Sequence, residues 1–556
     1  MNNTGLSASD IAVLVGYMIL LFGVGVYFMR QQKSIKAYLL AEQNVHWVIV
    51  GVSVLAALFS GITYLGAPAE VFFNGPGYIL VSATLIIATP ITIIVFVPFF
   101  RKLKLYTAYE YLERRFDRRL QLIASGFFIA RVICYVGLAI YAPALAIAAI
   151  TGIPFWMSAL IAGTMATIYT TLGGMKAVIW TDTIQFVVLC GGIVLIFILC
   201  ANKVPGGVPA AWELARADDK TRFFDFSASP FVRITFWGAM LGGLCNTLVQ
   251  MVTDQISVQR YLTAVSLHEC KKALWLKLAL LLPVLLLIYL SGTMIYGYYK
   301  AMPGRVPAFE TAASVPGLYA RNPKMLADIA ARVKDNTPPD MTAKPGTISR
   351  PLKGDQLLPF FVLHNLPKPL PGLIIAAILG ATMAVVSAGI NSLATTALMD
   401  FRKRSASPPT VLMAKALTVA FGFIATILAL FVLARLGSII KAVNVIMSVL
   451  GGPLLGLFLL GAFSRRANSQ GAMLGTGFGL AAALVVFYAK PLFNLPADIS
   501  FLWIGFAATV VTCVVGWIAS LFFAHPGDGI FTLTFYGAKQ LPLPEEEGGP
   551  QVPVHP

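Results

Sequence analysis

The sequence predicts an all-α polytopic membrane protein that crosses the bilayer about thirteen times, and three observations carry that prediction. Of 556 residues, 58% are hydrophobic and 12% charged, with a mean hydropathy of +0.80, too little charge for a soluble chain of this length. The apolar residues come in runs of about 20, enough to cross roughly 30 Å of hydrocarbon as helix. Short basic or Pro/Gly-rich segments separate the runs. The first run starts near Ile11 with neither a basic leader nor a small-residue cleavage site, so it reads as a retained span.

In order, the expected spans cover 10–28, 48–70, 77–100, 121–148, 155–173, 179–200, 232–252, 273–298, 370–397, 410–434, 438–462, 469–489 and 500–524. Charge orients them. Arg30, Lys33 and Lys36 follow the first span, and a basic loop from Arg101 to Arg119 follows the third. Lys176, then Arg260, Lys271 and Lys272, then Arg402, Lys403 and Arg404, then Arg465 and Arg466 follow the fifth, seventh, ninth and eleventh. Basic loops stay cytoplasmic, so the N-terminus is expected outside and the C-terminus inside a plasma (inner) membrane. The formal charge of +17 then belongs to those loops and does not point to nucleic acid. The flank FRKLKLYTAYEYLERRF at 100–116 reads either as an interfacial helix, with Tyr106, Tyr109 and Tyr111 at headgroup level, or as a connector held by salt bridges. The external segment 299–356 is Pro-rich, with a short helix expected around 323–335, and the Pro-rich tail 525–556 is expected to lack order.

The stretch VIVGVSVLAALFSGITYLGAPAEVFFNGPGY at 48–78 organises the rest. Its first half suits lipid, whereas Gly61, Thr63, Gly66 and Pro68 weaken its second half, with Glu70 next. A break near Gly61–Pro68 at membrane depth frees main-chain groups that only protein or a water-filled path can satisfy, and broken spans near the midplane build ion and solute sites in secondary transporters. A Gly/Pro-rich span packed tightly against its neighbours is the other reading.

Ionisable groups inside spans are costly and default to functional candidates. Asp182, in LGGMKAVIWTDTIQFVVL, either faces a water-filled path beside Thr181 and Gln185 or caps a helix. Asp254 and Arg260, in TDQISVQRYL, suit a gate or a staple between helix ends more than solute contact. No buried Arg or Lys stands out that would take a carboxylate. The ninth span carries Thr382, Ser387, Asn391, Ser392, Thr395 and Thr396, whose oxygens suit a hard cation or simply bond their own helix. GGP at 451–453 predicts a kink. Six scattered cysteines give no metal-ligand spacing or disulfide framework, and the five histidines lie at edges, loops or tail, which argues against an enzyme. No ring of repeated residues suggests a channel.

GGMKAVIWTDTIQ at 173–185, TDQISVQRYL at 253–262 and INSLATTALMDF at 390–401 resemble motifs of the sodium:solute symporter family, which includes sodium-coupled glucose, proline, iodide, monocarboxylate, multivitamin and sialic-acid transporters. The resemblance implies two inverted five-helix repeats, here 48–200 and 232–462, each opening with a discontinuous helix. Residues 1–47 and 463–524 are then peripheral, and 201–231 is an external segment. It also implies a sodium site from the carbonyls of Ala56, Phe59 and Ala381 with two hydroxyls. Those hydroxyl positions fall at Ala384 and Val385, which have none. Either the alignment slips and Ser387 takes the role, or water assists a weakened site, or transport is proton-coupled or ion-independent, with a sugar or other neutral solute. The segment FSGITYLGAPAEVF resembles the monocarboxylate, multivitamin and iodide branch, and Gln250 and Met251 stand where sugar carriers place an aromatic pair. The expected function is sodium-coupled uptake of a small organic solute, a monocarboxylate or related anion favoured, by alternating access. Ser60, Thr63, Asn246, Thr247 and Gln250 are the expected solute-side residues. Lipid is the expected surrounding partner, with no obligatory protein partner.

Overall fold

A computed structural model describes residues 6–103, 105–151, 153–302, 305–307, 354–402, 408–431, 439–538 and 540. Among the described residues every regular element is helical. Ten helices there are long and apolar enough to cross a membrane, or eleven if one bent pair counts as a span. The expected helix at 323–335 lies outside the described residues, as do Lys104, Lys403 and Arg404.

Helix α1 (Ala8–Met29) opens with a capping box in which the Asp10 carboxylate accepts the Ser7 amide at 2.9 Å. The other Asp10 oxygen accepts the Gly372 amide at 2.9 Å and pins α1 to a distant helix start. After the short α2 (Ile35–Leu40) comes the broken span, α3 (Trp47–Leu58) and α4 (Gly61–Asn74), bent by 57°. The break falls at Phe59–Ser60, ahead of the expected Gly61–Pro68. Phe59 and Ser60 are extended, and the Ser60 hydroxyl accepts the Thr63 amide as an N-cap. Pro68 rides inside α4, where α12 (Leu267–Ala301) presents Gly292 against it.

Span α5 (Pro76–Lys102) contains a π-helical turn at Thr92–Phe96. The connector behind it is not an interfacial helix. Its only helix among the described residues, α6 (Glu110–Arg115), is short, and Tyr109 and Tyr111 are fully buried instead of sitting at headgroup level. Arg115 is buried too, donating to the Gly461 and Ser464 carbonyls, so the connector is bolted into the bundle.

Helix α7 (Arg118–Thr151) leads to α8 (Phe155–Lys203), whose 49 residues would span about 73 Å if straight. It is not straight. Gly174 has φ 57° and ψ −158°, and Gln185 donates to the Tyr169 hydroxyl at 3.4 Å, impossible along one helix at that separation. The two arms therefore double back at Gly174, as the glycine pair suggests. Only glycine fits that backbone.

A short α9 (Gly207–Arg216) precedes segment α10 (236–253), which alternates α-helix with π-turns at Ala239–Gly243 and Val249–Thr253. Asp254 is extended, and α11 (Gln255–Tyr261) follows. The seventh span is thus widened by π-turns and broken at its C-terminal end. After α12 come α13 (Leu357–Asn365), α14 (Leu370–Asp400), α15 (Val411–Phe431), α16 (Ile439–Phe463), α17 (Ser469–Phe487) and α18 (Leu502–Ser520). The GGP at 451–453 does not interrupt α16, which runs through Pro453. The most apolar window of α14 is 94% buried, against 22% for α1 and 28% for α15, which sets α14 at the centre and those two at the rim. The tail is ordered at its start. Asp528–Leu533 forms a 3-10 helix, α19 (Phe535–Ala538) follows, and Phe535 packs on Phe463 with ring centroids 5.6 Å apart.

Candidate functional site

The break in the second span opens onto a cavity of about 150 Å³. Ser60, Thr63, Asn246, Thr247 and Gln250, all expected on the solute side, line it together with Tyr78, Tyr135, Tyr289 and Asn444. Among the described residues its lining carries no charged side chain. The Thr84 and Thr247 hydroxyls are 2.7 Å apart, and Ser448 donates to the Asn246 oxygen at 3.0 Å. The Asn246 amide nitrogen is buried without a hydrogen-bond partner. A buried donor left unpaired costs about 1–3 kcal/mol, a cost that a solute oxygen would remove. Because α4 begins at the cavity wall, its first amides also present a partial positive charge there.

On its far side the break packs against α14. A Cβ on Gly61 would meet the Thr382 hydroxyl at 2.5 Å and the Ile378 carbonyl at 3.3 Å. The last carbonyls of α3, Ala56 among them, face an extended Phe59–Ser60 and so lack the amides of a continued helix. Ala381, Ala384 and Val385 are buried on the facing helix. Ser387 is also buried, and its hydroxyl donates to the Ala384 carbonyl at 3.0 Å, leaving its oxygen lone pairs to accept or coordinate. Thr382 similarly donates to Ile378 at 2.9 Å. Hard oxygen donors are therefore present on both sides of the break.

On the α3 side of the break lies a layer of buried polar contacts. Asp182 is no helix cap. It sits inside the second arm of α8, accepting from Ser53 at 2.6 Å and from Arg260 at 3.0 Å, with all three fully buried. Arg260 also donates to Ser53 at 3.1 Å and to the Ile256 carbonyl at 3.0 Å. Asp254 does not pair with Arg260. One of its oxygens caps α11 through Ile256 at 2.9 Å, and the other faces Arg131 of α7 at 3.0 Å. Gln259 donates to the Leu39 carbonyl, Asn391 and Thr395 and accepts from Ser392, which commits much of the polar face of the ninth span to a helix junction. Asp400 accepts from Thr107, Gln121 and Ser125.

The expectation of no buried Arg or Lys is wrong: Arg131, Arg260 and Lys277 have no exposure. Arg131 and Lys277 went unnoticed as candidates although each is a single basic residue in an otherwise apolar run, IARVICY and LWLKLAL. That isolation was the available signal. Asp400 is the penultimate residue of the third motif, and only the fold brings its partners to it.

Sequence comparison decides the family. The profile of the sodium:solute symporter family matches residues 38–317 and 343–479. The chain belongs to that family. It is therefore a secondary active, sodium-coupled transporter of a small solute, a multi-pass membrane protein and not an enzyme. The sodium/sialic acid symporter NanT of Aliivibrio fischeri is 30% identical over 518 residues, 92% of this chain and 93% of that protein. The sodium-coupled monocarboxylate transporter 2 of Danio rerio is 31% identical over 504 residues, 88% of this chain and 73% of that protein. A substrate-bound, outward-open structure of a Na+-coupled sialic acid symporter superposes with a TM-score of 0.78 at 29% identity, covering 93% of this chain and 99% of that one. This symporter thus shares its fold with that carrier along most of its length.

Proposed function

We propose that this symporter takes up a small organic anion, with a monocarboxylate favoured, by alternating access around the cavity at the break. The observation that carries the reading is the unpartnered Asn246 donor among Ser60, Thr63, Thr247 and Gln250, beside the N-terminus of α4. Donors without acceptors suit a solute rich in oxygen lone pairs. Sodium is held between the carbonyls of Ala56 and Phe59 and those of α14, with Ala381 supplying a carbonyl and Ser387 replacing the hydroxyls missing at Ala384 and Val385. Ion and solute each raise the other's affinity by the same factor.

In this reading the chain crosses the membrane thirteen times with its N-terminus outside. The reversal at Gly174 supports counting α8 as two crossings, and α10 with α11 makes a further one. The inverted repeats cover 48–200 and 232–462, with 1–47 and 463–524 peripheral. The Asp182–Arg260 and Asp254–Arg131 pairs close the inner side and must part when it opens.

The test is a panel of radiolabelled carboxylates, neutral amides, sugars and sialic acid in proteoliposomes, with and without a sodium gradient at equal pH. The reading expects a sodium-driven carboxylate. Uptake confined to neutral solutes rejects the anion, and uptake that follows a pH step while ignoring sodium rejects the ion site.

A further inference from the structure

Lys277 is the buried cation that the contacts above leave unexplained. It lies in α12 with no exposure, and among the described residues no carboxylate lies within ion-pair distance of it. Its ammonium contacts the Thr89 hydroxyl at 3.2 Å and the Met251 sulfur at 3.4 Å. An ammonium has three protons to donate, and a thioether is a weak acceptor. Thr89 in turn points its own proton at the same sulfur, 3.6 Å away. One hydroxyl oxygen is therefore the main compensation for a charge whose burial costs several kcal/mol.

Its location is specific. Helix α12 runs beside the broken span, because a Cβ on Gly51 would meet the Ala273 carbonyl at 2.5 Å and one on Gly292 would meet the Pro68 carbonyl at 2.6 Å. Lys277 then lies level with Leu55, about one helical turn inward of the break. Each element that surrounds the ammonium also lines the cavity nearby. Leu85 lies one turn before Thr89, Gln250 directly precedes Met251, and Leu281 lies one turn after Lys277. Gln250, which lines the cavity, and Met251, which touches the lysine, both belong to the π-turn Val249–Thr253, a geometry frequent at functional sites.

We propose that Lys277, with Thr89, is a carboxylate-binding station beneath the floor of the central cavity, receiving the charged end of an anionic solute on its way inward. The inference rests on the anion reading of the cavity and adds a second position to it. The cavity itself has no charged side chain, so hydrogen bonds hold the solute there. Past the floor, the lysine supplies the counter-charge and the solute supplies the missing acceptor. A neutral solute of the same shape gains nothing at this position.

The test compares wild type with Lys277→Met, which keeps the length and packing of the side chain, and with Lys277→Arg, which keeps the charge. Probes are acetate, propionate, lactate, pyruvate and nicotinate, each beside its neutral amide. A charge-assisted hydrogen bond is worth about 1.5–3 kcal/mol, so Lys277→Met is expected to lower sodium-driven carboxylate uptake at least tenfold. Lys277→Arg is expected to restore most of it, with amide uptake unchanged. Melting of the purified full chain gives a second readout. Carboxylates are expected to raise the melting temperature of wild type and not that of Lys277→Met. Carboxylate uptake and stabilisation unchanged in Lys277→Met overturn the station, and so does an equal loss of carboxylate and amide uptake. A wild type that neither carries nor is stabilised by any carboxylate overturns it too. If that wild type still shows sodium-driven uptake of a neutral solute, transport stands and only the anion and the lysine's role fall. Stabilisation by carboxylates that Lys277→Met abolishes, without uptake of any probe, supports the station and sinks the transport cycle proposed for the cavity.

Discussion

Arg260 offers the sharpest test of how the inner layer is held. Its guanidinium touches two other segments, the Asp182 carboxylate at 3.0 Å and the Ser53 hydroxyl at 3.1 Å, and the Ile256 carbonyl of its own helix at 3.0 Å, with Asp182, Ser53 and Arg260 all without exposure. At that separation the gross attraction to Asp182 is about 5 kcal/mol at an effective dielectric near 20. Much of it is offset by the cost of taking both ions out of water. Arg260→Met removes the attraction and leaves the Asp182 charge buried beside Ser53 alone, so a loss of about 3–5 kcal/mol is expected. Asp182→Asn strands the guanidinium in the same way. The double variant Asp182→Asn/Arg260→Met strands neither charge, and its loss is expected to fall well below the sum of the singles. A coupling of about 2 kcal/mol or more follows, well outside the 0.3–0.5 kcal/mol scatter of independent sites. Denaturation of the purified protein in detergent, read by intrinsic fluorescence across all four forms of the cycle, measures it. Additive losses would refute the reasoning, because they would mean that each residue is held by something other than its partner.

Three further outcomes are expected. Ser387→Ala raises the apparent sodium constant several-fold in uptake assays while Ser392→Ala, whose hydroxyl is committed to Gln259, shifts it far less; equal small effects remove Ser387 from the ion site. Gly61→Val abolishes sodium-driven uptake at normal expression, since even a Cβ there would come within 2.5 Å of the Thr382 hydroxyl of α14 and 2.6 Å of Pro143 of α7; a fully active variant would mean that the break does not need its close seat on those helices. Beside the C-terminal end of α12 burial acts to raise the pKa of Asp218, but hydrogen bonds from Lys300 and Tyr296 and the Lys300 charge outweigh it and hold it below the ordinary value of 3.8. A depressed carboxylate contributes stability above its unfolded pKa and loses it as pH falls through the folded one, so this tie is expected to weaken only below about pH 4. Asp218→Asn is expected to flatten that part of a melting-temperature profile, and an unchanged acid limb would rule the tie out as its source.

Much of the site was legible in the chain because its signals are local. Ser60, Thr63, Asn246, Thr247 and Gln250 stand on two spans, and all five line one cavity. The weak point in the second span was readable from glycine and proline, yet its position was missed by a few residues. Pro68 looked like the breaker, but a hydroxyl able to cap a new helix decided the place, and Ser60 supplies it. The partners of charged residues were the least legible. Asp254 lies six residues from Arg260 in sequence and pairs with Arg131, more than a hundred residues away, while Arg260 reaches Asp182. Isolated Arg131 and Lys277 were overlooked, because an apolar run gives a single cation no local pattern to mark it.

The sequence by itself determined that this chain is a helical membrane protein, where most of its helices lie and which family it joins. Those properties depend on hydropathy over about 20 residues, on basic loops and on short motifs, each contained in contiguous chain. Tertiary structure alone decided which carboxylate meets which arginine, that Tyr109 and Tyr111 are buried in the bundle, and that Lys277 is buried against Thr89 and Met251. The reason is geometric. In lipid a helix satisfies its own backbone whatever surrounds it, so side-chain partners are set by how helices pack, and packing joins residues that no local pattern connects.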